Sequence, residues 1–531
     1  MASRPQVDPA RTYLAARAAA ISGDHSRSAE LLARLVDTSA ANQPIAREAV
    51  SQAISAGDIK LALRLVRALP AAATPIEAQL LQVADALRSN DHRRAITLLQ
   101  GTSESGELAF LKPFVEAWIA GDRRDLSRAL ATLGTVSSRN LASALTPEHR
   151  ALVLLKFGRA SEADPFVQQA LEAADAREHR LRLAFADGFL AAGDRDRALA
   201  MVEGLGTEVG KARQRVNRGQ SGGLAINNSR LAFSELLLAL AVELNKLRNR
   251  SMPIALSQVA RFTAPENSSA SVMLGVFLDS RGRLEESLAA LRSVPADDPL
   301  AAQARDAEVR ALVDAKREQE ALGVAQRVLA RSGAGVSDYA RLGDVFAALK
   351  RYNEAADAYG RALQLVQQGT PEERWPMLLL RASALEDAGR WPEARQTLGA
   401  ALALAPNEPL ILNFLGYAKL ERGEDLDAAE AMIRRASSLD PDNASITDSL
   451  GWAVYKRGRL KEAIEILTRA AKGDPAQAEI HEHLGDALYK AGSRYEARYA
   501  WRAALVTADE EIATRVRAKI ETGLTSATAA P

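Results

Sequence analysis

Small residues recur along the chain at a fixed interval, and that interval narrows the possible folds more than any other feature. Gly451 and Gly485 are 34 residues apart, and so are Ala463 and Ala497. A repeat of this length has room for two α-helices and their turns, and no unit of that size buries its apolar face alone. The spacing therefore predicts a stack of helical hairpins in which each hairpin is stabilised by its neighbours.

The residues at the fixed offsets have separate physical roles in such a hairpin. A Leu-Gly pair in the first helix, as at Gly451, leaves room for the partner helix at a cost of about 1 kcal/mol in helix propensity. A glycine near the end of that helix, as at Gly458, suits a left-handed cap. A small alanine such as Ala463 lets the second helix pack tightly, and a proline such as Pro475 ends that helix. The same landmarks recur in phase at Gly275, Ser287, Val309, Ala321, Gly343, Ala355, Gly389, Ala394, Pro406, Leu415, Gly416, Gly423, Ala429, Pro441, Leu484, Gly485, Gly492 and Ala497.

This pattern resembles the tetratricopeptide repeat family, and it covers roughly residues 269 to 509. The resemblance implies an all-α fold, namely an α-solenoid of tetratricopeptide-type helical hairpins wound into a right-handed superhelix. The length of the chain divided by the period predicts roughly 13 to 15 hairpins. In arrays of this kind the first helices line a concave surface, which is the usual face for binding other proteins.

Outside the regular array the same pattern becomes weaker or stops. In the first part of the chain Ala29, Ala62 and Ala95 follow one another at intervals of 33 residues, but the Leu-Gly and proline landmarks are mostly missing. A segment rich in glycine, lysine and arginine then separates the two halves, as is typical of a flexible loop. The predicted regions are a degenerate helical-repeat arm (1–205), a glycine-rich basic loop or hinge (206–228), the tetratricopeptide array (229–509), and a capping helix with a tail that frays from Thr525 (510–531). The apolar stripe of the capping helix is formed by Ala513, Val516 and Ile520.

Composition excludes several classes of protein. The 68 basic and 67 acidic residues give a net charge of +1, which argues against a nucleic-acid partner because such binding needs a basic face. The chain has no cysteine, so disulfides and thiolate chemistry are excluded. No run of about 18 apolar residues occurs, and the most apolar stretch, 231–244, is predicted to be a buried helix rather than a transmembrane segment. As written the sequence shows no signal peptide, because Arg17 interrupts the only apolar candidate, so we expect either a cytoplasmic protein or one whose targeting segment has been removed.

Two short motifs that could carry chemistry are rejected on their spacing. Gly210, Lys211 and Ala212 look like the end of a phosphate-binding loop, but the earlier glycine and the final Ser or Thr of that motif are missing. His481 and His483 are two residues apart, so on a helix they point to different sides and cannot share a metal ion well. We therefore predict no catalytic residues, no cofactor and no metal, and a protein that is not an enzyme.

A partner-binding face is predicted beside the Leu-Gly pairs of the three most regular units. Aromatic and carboxylate groups alternate there, which suits a peptide with apolar and basic positions. The alternative is that Tyr417 and Trp452 simply pack between neighbouring first helices. Trp501, in the last second helix, is assigned to the core. The residues of the predicted face are Asn413, Tyr417, Asp448, Trp452, Tyr455, Glu482, Asp486 and Tyr489.

The stretches 410–417, 447–452, 483–486 and 498–502 resemble a narrower group of bacterial tetratricopeptide proteins, which includes envelope lipoprotein adaptors for a carboxyl-terminal processing protease. The resemblance implies a periplasmic or envelope adaptor that holds a protease and its substrates together. Two alternatives are a self-associating structural protein that forms a homo-oligomer and a cytoplasmic assembly scaffold. A repeat-bearing transferase is disfavoured, because it would need a separate catalytic domain for which the helical hairpins leave no room.

Overall fold

The computed structural model describes residues 8–38, 42–100, 109–136, 141–174, 177–203, 210–247, 251–330, 334–367 and 369–530. These residues form 30 α-helices and no β-strand, which confirms the predicted all-α solenoid class. No helix within the described ranges is both long and apolar enough to span a bilayer. The chain divides into two compact bodies, an N-terminal body (Met1–Arg341) and a C-terminal body (Leu342–Pro531).

The helices of the N-terminal body, and α20, which continues into the next body, are α1 (Pro9–Ile21), α2 (His25–Thr38), α3 (Gln43–Ala56), α4 (Ile59–Val66), α5 (Ile76–Arg88), α6 (His92–Gln100), α7 (Lys112–Asp122), α8 (Leu126–Leu133), α9 (Thr146–Lys156), α10 (Ala160–Glu172), α11 (Glu178–Ala191), α12 (Arg195–Val202), α13 (Gly210–Asn217), α14 (Ser229–Lys246), α15 (Met252–Thr263), α16 (Ser268–Asp279), α17 (Leu284–Arg292), α18 (Ala301–Asp314), α19 (Glu318–Leu329) and α20 (Val336–Ala348). Those of the C-terminal body are α21 (Tyr352–Leu365), α22 (Pro371–Asp387), α23 (Trp391–Leu404), α24 (Pro409–Glu421), α25 (Leu426–Leu439), α26 (Ala444–Lys456), α27 (Leu460–Gly473), α28 (Ala478–Lys490), α29 (Arg494–Ala504) and α30 (Glu510–Thr522).

The C-terminal body is a regular series of helical hairpins. Helices α22 to α29 pair consecutively, and the first helices α24, α26, α28 and α30 also contact one another in turn. Gly389, Gly458 and Gly492 end first helices with φ of 73°, 77° and 93°, the left-handed conformation that glycine adopts without strain. Apolar side chains form separate small cores between neighbouring hairpins, as nearest-neighbour stacking requires.

The N-terminal body departs from nearest-neighbour stacking. Helix α15 packs against α3 and α5, which precede it by more than 150 residues, and α14 packs against α5 and α7. The stretch 231–244, predicted to be a buried helix, lies within α14. Helix α14 joins one continuous apolar core that extends from Ala16 to Leu300. The predicted repeat arm 1–205 therefore shares its core with helices that follow the glycine-rich segment.

The glycine-rich segment 206–228 is more ordered than the prediction of a loop or hinge suggests. Residues 206–209 lie outside the described residues, but Gly210 begins helix α13. Beyond α13, the main-chain N–H groups of Gly222 and Leu224 donate hydrogen bonds of 2.8 Å and 2.7 Å to the buried carboxylate of Asp187. The prediction of a loop is therefore wrong for residues 210–217, which are helical. The segment after them is anchored, because two charge-assisted hydrogen bonds hold its backbone against α11.

The glycines of the Leu-Gly pairs sit where two helices of a hairpin touch. A Cβ placed on Gly451 would lie 2.6 Å from the side chain of Leu467, and one on Gly485 would overlap the Trp501 ring. Trp501 is completely buried, which confirms its assignment to the core. In contrast, a Cβ on Gly399, in the interior of α23, would meet no atom within 4 Å.

The same substitution at two of these glycines is expected to have opposite effects. Gly485→Ala should destabilise the last hairpins by about 1–3 kcal/mol, since the overlap with Trp501 outweighs the gain in helix propensity. Gly399→Ala should stabilise its hairpin by about 0.5–1 kcal/mol, because only the propensity changes. Hydrogen exchange of the helices α23, α28 and α29 measures both effects in the full chain. Two changes of the same sign would contradict the close-packing explanation.

Candidate partner-binding face

The eight residues predicted to bind a partner lie on three first helices that contact one another. Helix α24 carries Asn413 and Tyr417, α26 carries Asp448, Trp452 and Tyr455, and α28 carries Glu482, Asp486 and Tyr489. Because α24 touches α26 and α26 touches α28, the residues form one layer. We call this layer the α24–α26–α28 face. Its two ends differ in how much of the layer is open to solvent.

At the centre of the face, Trp452 is enclosed between two other rings. The Trp452 ring stacks on Tyr455 with centroids 4.6 Å apart and on His483 with centroids 4.2 Å apart. Its Nε1–H donates to Glu421 at 3.2 Å, and the residue is 1% exposed. Trp452 thus packs between first helices, as the alternative interpretation of the sequence has it, and stiffens the face rather than offering a free surface.

The α28 end of the face is covered by the capping helix. Lys519 of α30 donates to Glu482 at 2.6 Å and to both oxygens of Asp486 at 2.8 Å. Arg515 donates two further bonds of 2.8 Å to Glu482. Burial alone would raise the pKa of Glu482, but the bonds from Arg515 and Lys519 lower that pKa below its ordinary value. Glu482, Asp486 and Lys519 are at most 1% exposed, so this end holds two carboxylates neutralised from within the chain.

The position of Glu482 and Asp486 beside a Leu-Gly pair predicts an open groove, but Arg515 and Lys519 cover both carboxylates. The apolar stripe of α30 does indicate that Lys519 is buried. Lys519 follows Val516 by three residues, and residues at that separation share one face of a helix, so Lys519 must point toward the body with Val516. A lysine buried beside an apolar stripe needs a carboxylate partner.

The segment after α30 also lies on the face. The main-chain N–H of Ala530 donates to Asp486 at 3.0 Å, and Ala530 is 4% exposed and packs in the apolar cluster of Trp452 and Tyr455. Gly523, with φ of 83°, passes so close to the Tyr489 ring that a Cβ would overlap it. The prediction of a tail frayed from Thr525 is therefore wrong up to Ala530, and Pro531 lies outside the described residues. The tail is held because buried Asp486 offers it an acceptor.

The α24 end of the face remains partly open and is acidic. Asn413 and Tyr417 are half-buried there. Among the described residues, Asn413 Oδ1 and Asp448 Oδ1 are buried acceptors without a hydrogen-bond donor. The other oxygen of Asp448 pairs with the His483 ring at 2.8 Å. Burial, and then the carboxylates of Glu421, Asp448 and Glu479, raise the pKa of Tyr417 above its ordinary value. This end therefore suits a ligand that brings hydrogen-bond donors and positive charge.

The histidine pair does not form a metal site. The His481 ring lies 3.1 Å from the carbonyl oxygen of Pro475, whereas the His483 ring turns into the buried layer. Within the ranges that the structure describes, no three His, Asp or Glu side chains are grouped so that they could hold a metal ion.

Comparisons with known proteins show that the chain carries tetratricopeptide repeats. Residues 379–444 match the family described as tetratricopeptide repeat, and residues 451–492 match the family described as TPR repeat. The TPR repeat-containing protein PA4667 of Pseudomonas aeruginosa is 32% identical over 171 residues, which are 32% of this chain and 28% of that protein. Cellulose synthase operon protein C of Xanthomonas axonopodis pv. citri is 27% identical over 260 residues, which are 40% of this chain and 17% of that protein. The chain thus spans less than a third of either relative.

Among solved structures, the APC/C hetero-tetramer Cut9-Hcn1 aligns with 98% of this chain and 97% of its own, with a TM-score of 0.39 and 17% identity. The repeat matches lie within the C-terminal body, where the helical hairpins carry tetratricopeptide repeats as the repeat spacing predicted. This fold is typical of protein-interaction scaffolds and therefore suggests that the partners are proteins.

Proposed function

We propose that the chain is a non-catalytic scaffold that gathers protein partners, and that the α24–α26–α28 face binds a peptide segment of one partner. The observation that carries the proposal is the segment 523–530, a piece of peptide already seated on this face. The segment contacts Asp486 through a main-chain N–H group, and a partner peptide offers the same group at every residue other than proline. The seat of Ala530 is small and apolar, so it accepts a small side chain.

The acidic end of the face specifies the rest of the partner segment. Asn413 Oδ1 and Asp448 Oδ1 lack donors within the described chain, and burying an acceptor without a donor costs about 1–3 kcal/mol. A peptide N–H, lysine or arginine placed there would satisfy them. Glu479 would add attraction for a positive charge, whereas Glu421 already pairs with Lys456 at 3.6 Å. The partner segment therefore combines a small residue at the Ala530 seat with a basic residue toward Tyr417.

The test uses the chain's own segment as the probe. We expect a synthetic acetylated peptide with the sequence of residues 523–531 to bind a variant that lacks residues 525–531. The same peptide should bind the full chain at least tenfold more weakly, because a tethered segment competes at an effective concentration in the millimolar range. Isothermal titration calorimetry measures both affinities, and hydrogen exchange of α26 and α28 locates the binding.

A matched peptide distinguishes binding at the Ala530 seat from non-specific binding. The peptide with Ala530→Glu should lose binding, since its carboxylate would be buried beside Asp486. Circular dichroism checks that the shortened chain keeps its helices. Equal binding of the parent peptide to both chains, or none to the shortened chain, contradicts the proposed role of the face.

A finer proposal rests on the resemblance of residues 410–417, 447–452, 483–486 and 498–502 to bacterial protease adaptors. We propose that the partners are a carboxyl-terminal processing protease and its substrates. Adding the chain to such a protease should then speed substrate cleavage, and Tyr417→Ala should reduce that gain. Tyr495→Ala, on the exposed side of α29, is the matched control. A cleavage rate that the chain leaves unchanged would contradict the adaptor role while leaving the peptide-binding test intact.

A further inference from the structure

The N-terminal body contains a cavity that the proposed partner face does not involve. It lies between α11, α14, α16 and the start of α18 and has a volume of about 430 Å³, within the range of about 300–1,000 Å³ of small-molecule sites. Most of its wall is apolar. The apolar wall is formed by Leu238, Val242, Val272, Met273, Val276 and Leu300 together with Phe277. Val276 remains 49% exposed although it lies in the middle of α16, so the chain leaves apolar surface open to water here.

The α11 side of the cavity is polar and carries an unmatched donor. Arg180 donates through Nη2 to Glu235 at 2.7 Å and through Nε to Ser269. Its third group, Nη1, is buried and has no hydrogen-bond partner among the described residues. Arg177, on the same side, pairs with Glu148 at 2.9 Å. Two guanidinium groups thus line one side of the cavity, and one of their N–H groups is unsatisfied.

The remaining charged groups do not cancel this donor. Glu235 lines the cavity but already accepts from Arg180 and from Asn267. Lys246, at the end of α14, pairs with Glu243 at 3.0 Å. A guanidinium group with a spare N–H in a largely apolar site binds carboxylates well, because water competes little for the hydrogen bond.

From the apolar wall and the unsatisfied arginine we infer that this cavity binds a medium-chain fatty acid, with its carboxylate at Arg180 and its hydrocarbon chain along α14 and α16. A volume of about 430 Å³ leaves room for a single-chain ligand, and dodecanoate represents the medium-chain class. Ligand binding would cover the open surface of Val276 and provide the acceptor that Arg180 Nη1 lacks.

Calorimetric titration of the full chain with dodecanoate, below its micelle concentration, tests the inference. We expect one dodecanoate per chain, with dodecan-1-ol at least tenfold weaker because it lacks the carboxylate charge. Dodecyltrimethylammonium, with the opposite charge, should not bind at this site. Equal affinity for dodecanoate and dodecan-1-ol would overturn the role of Arg180, and absence of dodecanoate binding would overturn the site.

A variant of the wall provides the second test without breaking the ion pair of Arg180 and Glu235. Val276→Glu should weaken dodecanoate binding at least tenfold, since it places a carboxylate in the wall, and the half-exposed position tolerates the change. Ile21→Glu, at a position on α1 that is 82% exposed and outside the cavity, is the matched control and should leave binding unchanged. Circular dichroism verifies that both variants fold. Unchanged binding in Val276→Glu would place any bound dodecanoate elsewhere and overturn the inference.

Discussion

Lys519→Met is expected to destabilise the last hairpins by about 3–5 kcal/mol, the usual cost of removing one partner from a buried ion pair. The Lys519 ammonium is completely buried and is within 2.8 Å of both Glu482 and Asp486. Without it, Glu482 keeps Arg515, but Asp486 retains only the neutral donors Trp501 Nε1 and Ala530 N. Methionine fills nearly the same volume, so the loss arises from leaving the Asp486 carboxyl group buried without a cation and not from a cavity. Burial already raises the pKa of Asp486 above its ordinary value with Lys519 present.

The measurement for Lys519→Met is hydrogen exchange of α28 and α30 in the full chain. A local readout is needed because a long repeat array does not unfold as one two-state unit. Lys472→Met, at an exposed position in the last turn of α27, is the matched control and should change stability by no more than about 0.5 kcal/mol. A loss below about 1 kcal/mol in Lys519→Met would show that the two carboxylates do not depend on this lysine.

The N-terminal body is expected to lose about 2 kcal/mol of stability between pH 7 and pH 5 through His149. The His149 ring is completely buried against Phe114, and its Nδ1 accepts the Trp118 Nε1–H at 2.9 Å. Burial, and next the charge of Arg177, lower the pKa of His149 from 6.5 to about 3. Protonation at Nδ1 would also bring two N–H donors face to face.

The sign of the effect follows from proton binding in the two states. Between pH 6.5 and about pH 3 the unfolded chain binds a proton at His149 that the folded chain does not bind. The stability contribution is therefore complete above pH 6.5 and decreases as the pH falls through this window. Each pH unit within the window changes the free energy of unfolding by about 1.36 kcal/mol, which gives about 2 kcal/mol at pH 5.

The control for this prediction is His149→Gln, whose amide oxygen can still accept from Trp118 but does not titrate. Hydrogen exchange of α7 and α9 as a function of pH should show a smaller slope in the variant. An identical pH slope in His149→Gln and the parent chain would rule out His149 as the cause.

The pH dependence of His483, in the C-terminal body, has the opposite sign. Burial lowers the pKa of His483, but the charge and hydrogen bond of Asp448 outweigh burial and raise that pKa above its ordinary value. The contribution of His483 to stability is present below its unfolded pKa and is lost as the pH rises through the folded pKa.

The repeat spacing was enough to predict the local architecture. Gly451 and Gly485 mark close helix contacts, and Gly458 and Gly492 adopt the left-handed cap conformation, as their offsets indicated. These features are local, because a helix, its cap and the next helix lie within one period of 34 residues. The helix class and the hairpin pairing follow from the same short-range pattern.

The partner-binding face was only partly predictable. The sequence placed Trp452 and Asp486 on the correct helices, since the position relative to the Leu-Gly pair determines the side of a first helix. It could not show that Lys519 and Ala530 would cover part of this face. Their contacts with Asp486 join residues 33 and 44 positions apart, and whether such groups meet depends on how far α30 turns back over α28.

The amino-acid sequence by itself therefore determines the helices, their caps and the close contacts between neighbouring helices, since these depend on helix propensity and on side chains within one repeat. Tertiary packing determines the rest: α15 closes on α3 and α5, and Asp187 anchors the backbone of Gly222. The reason is geometric. Small rotations between successive hairpins add up along the array, and their sum decides which distant helices come into contact. The residue pattern within a single repeat does not determine that sum.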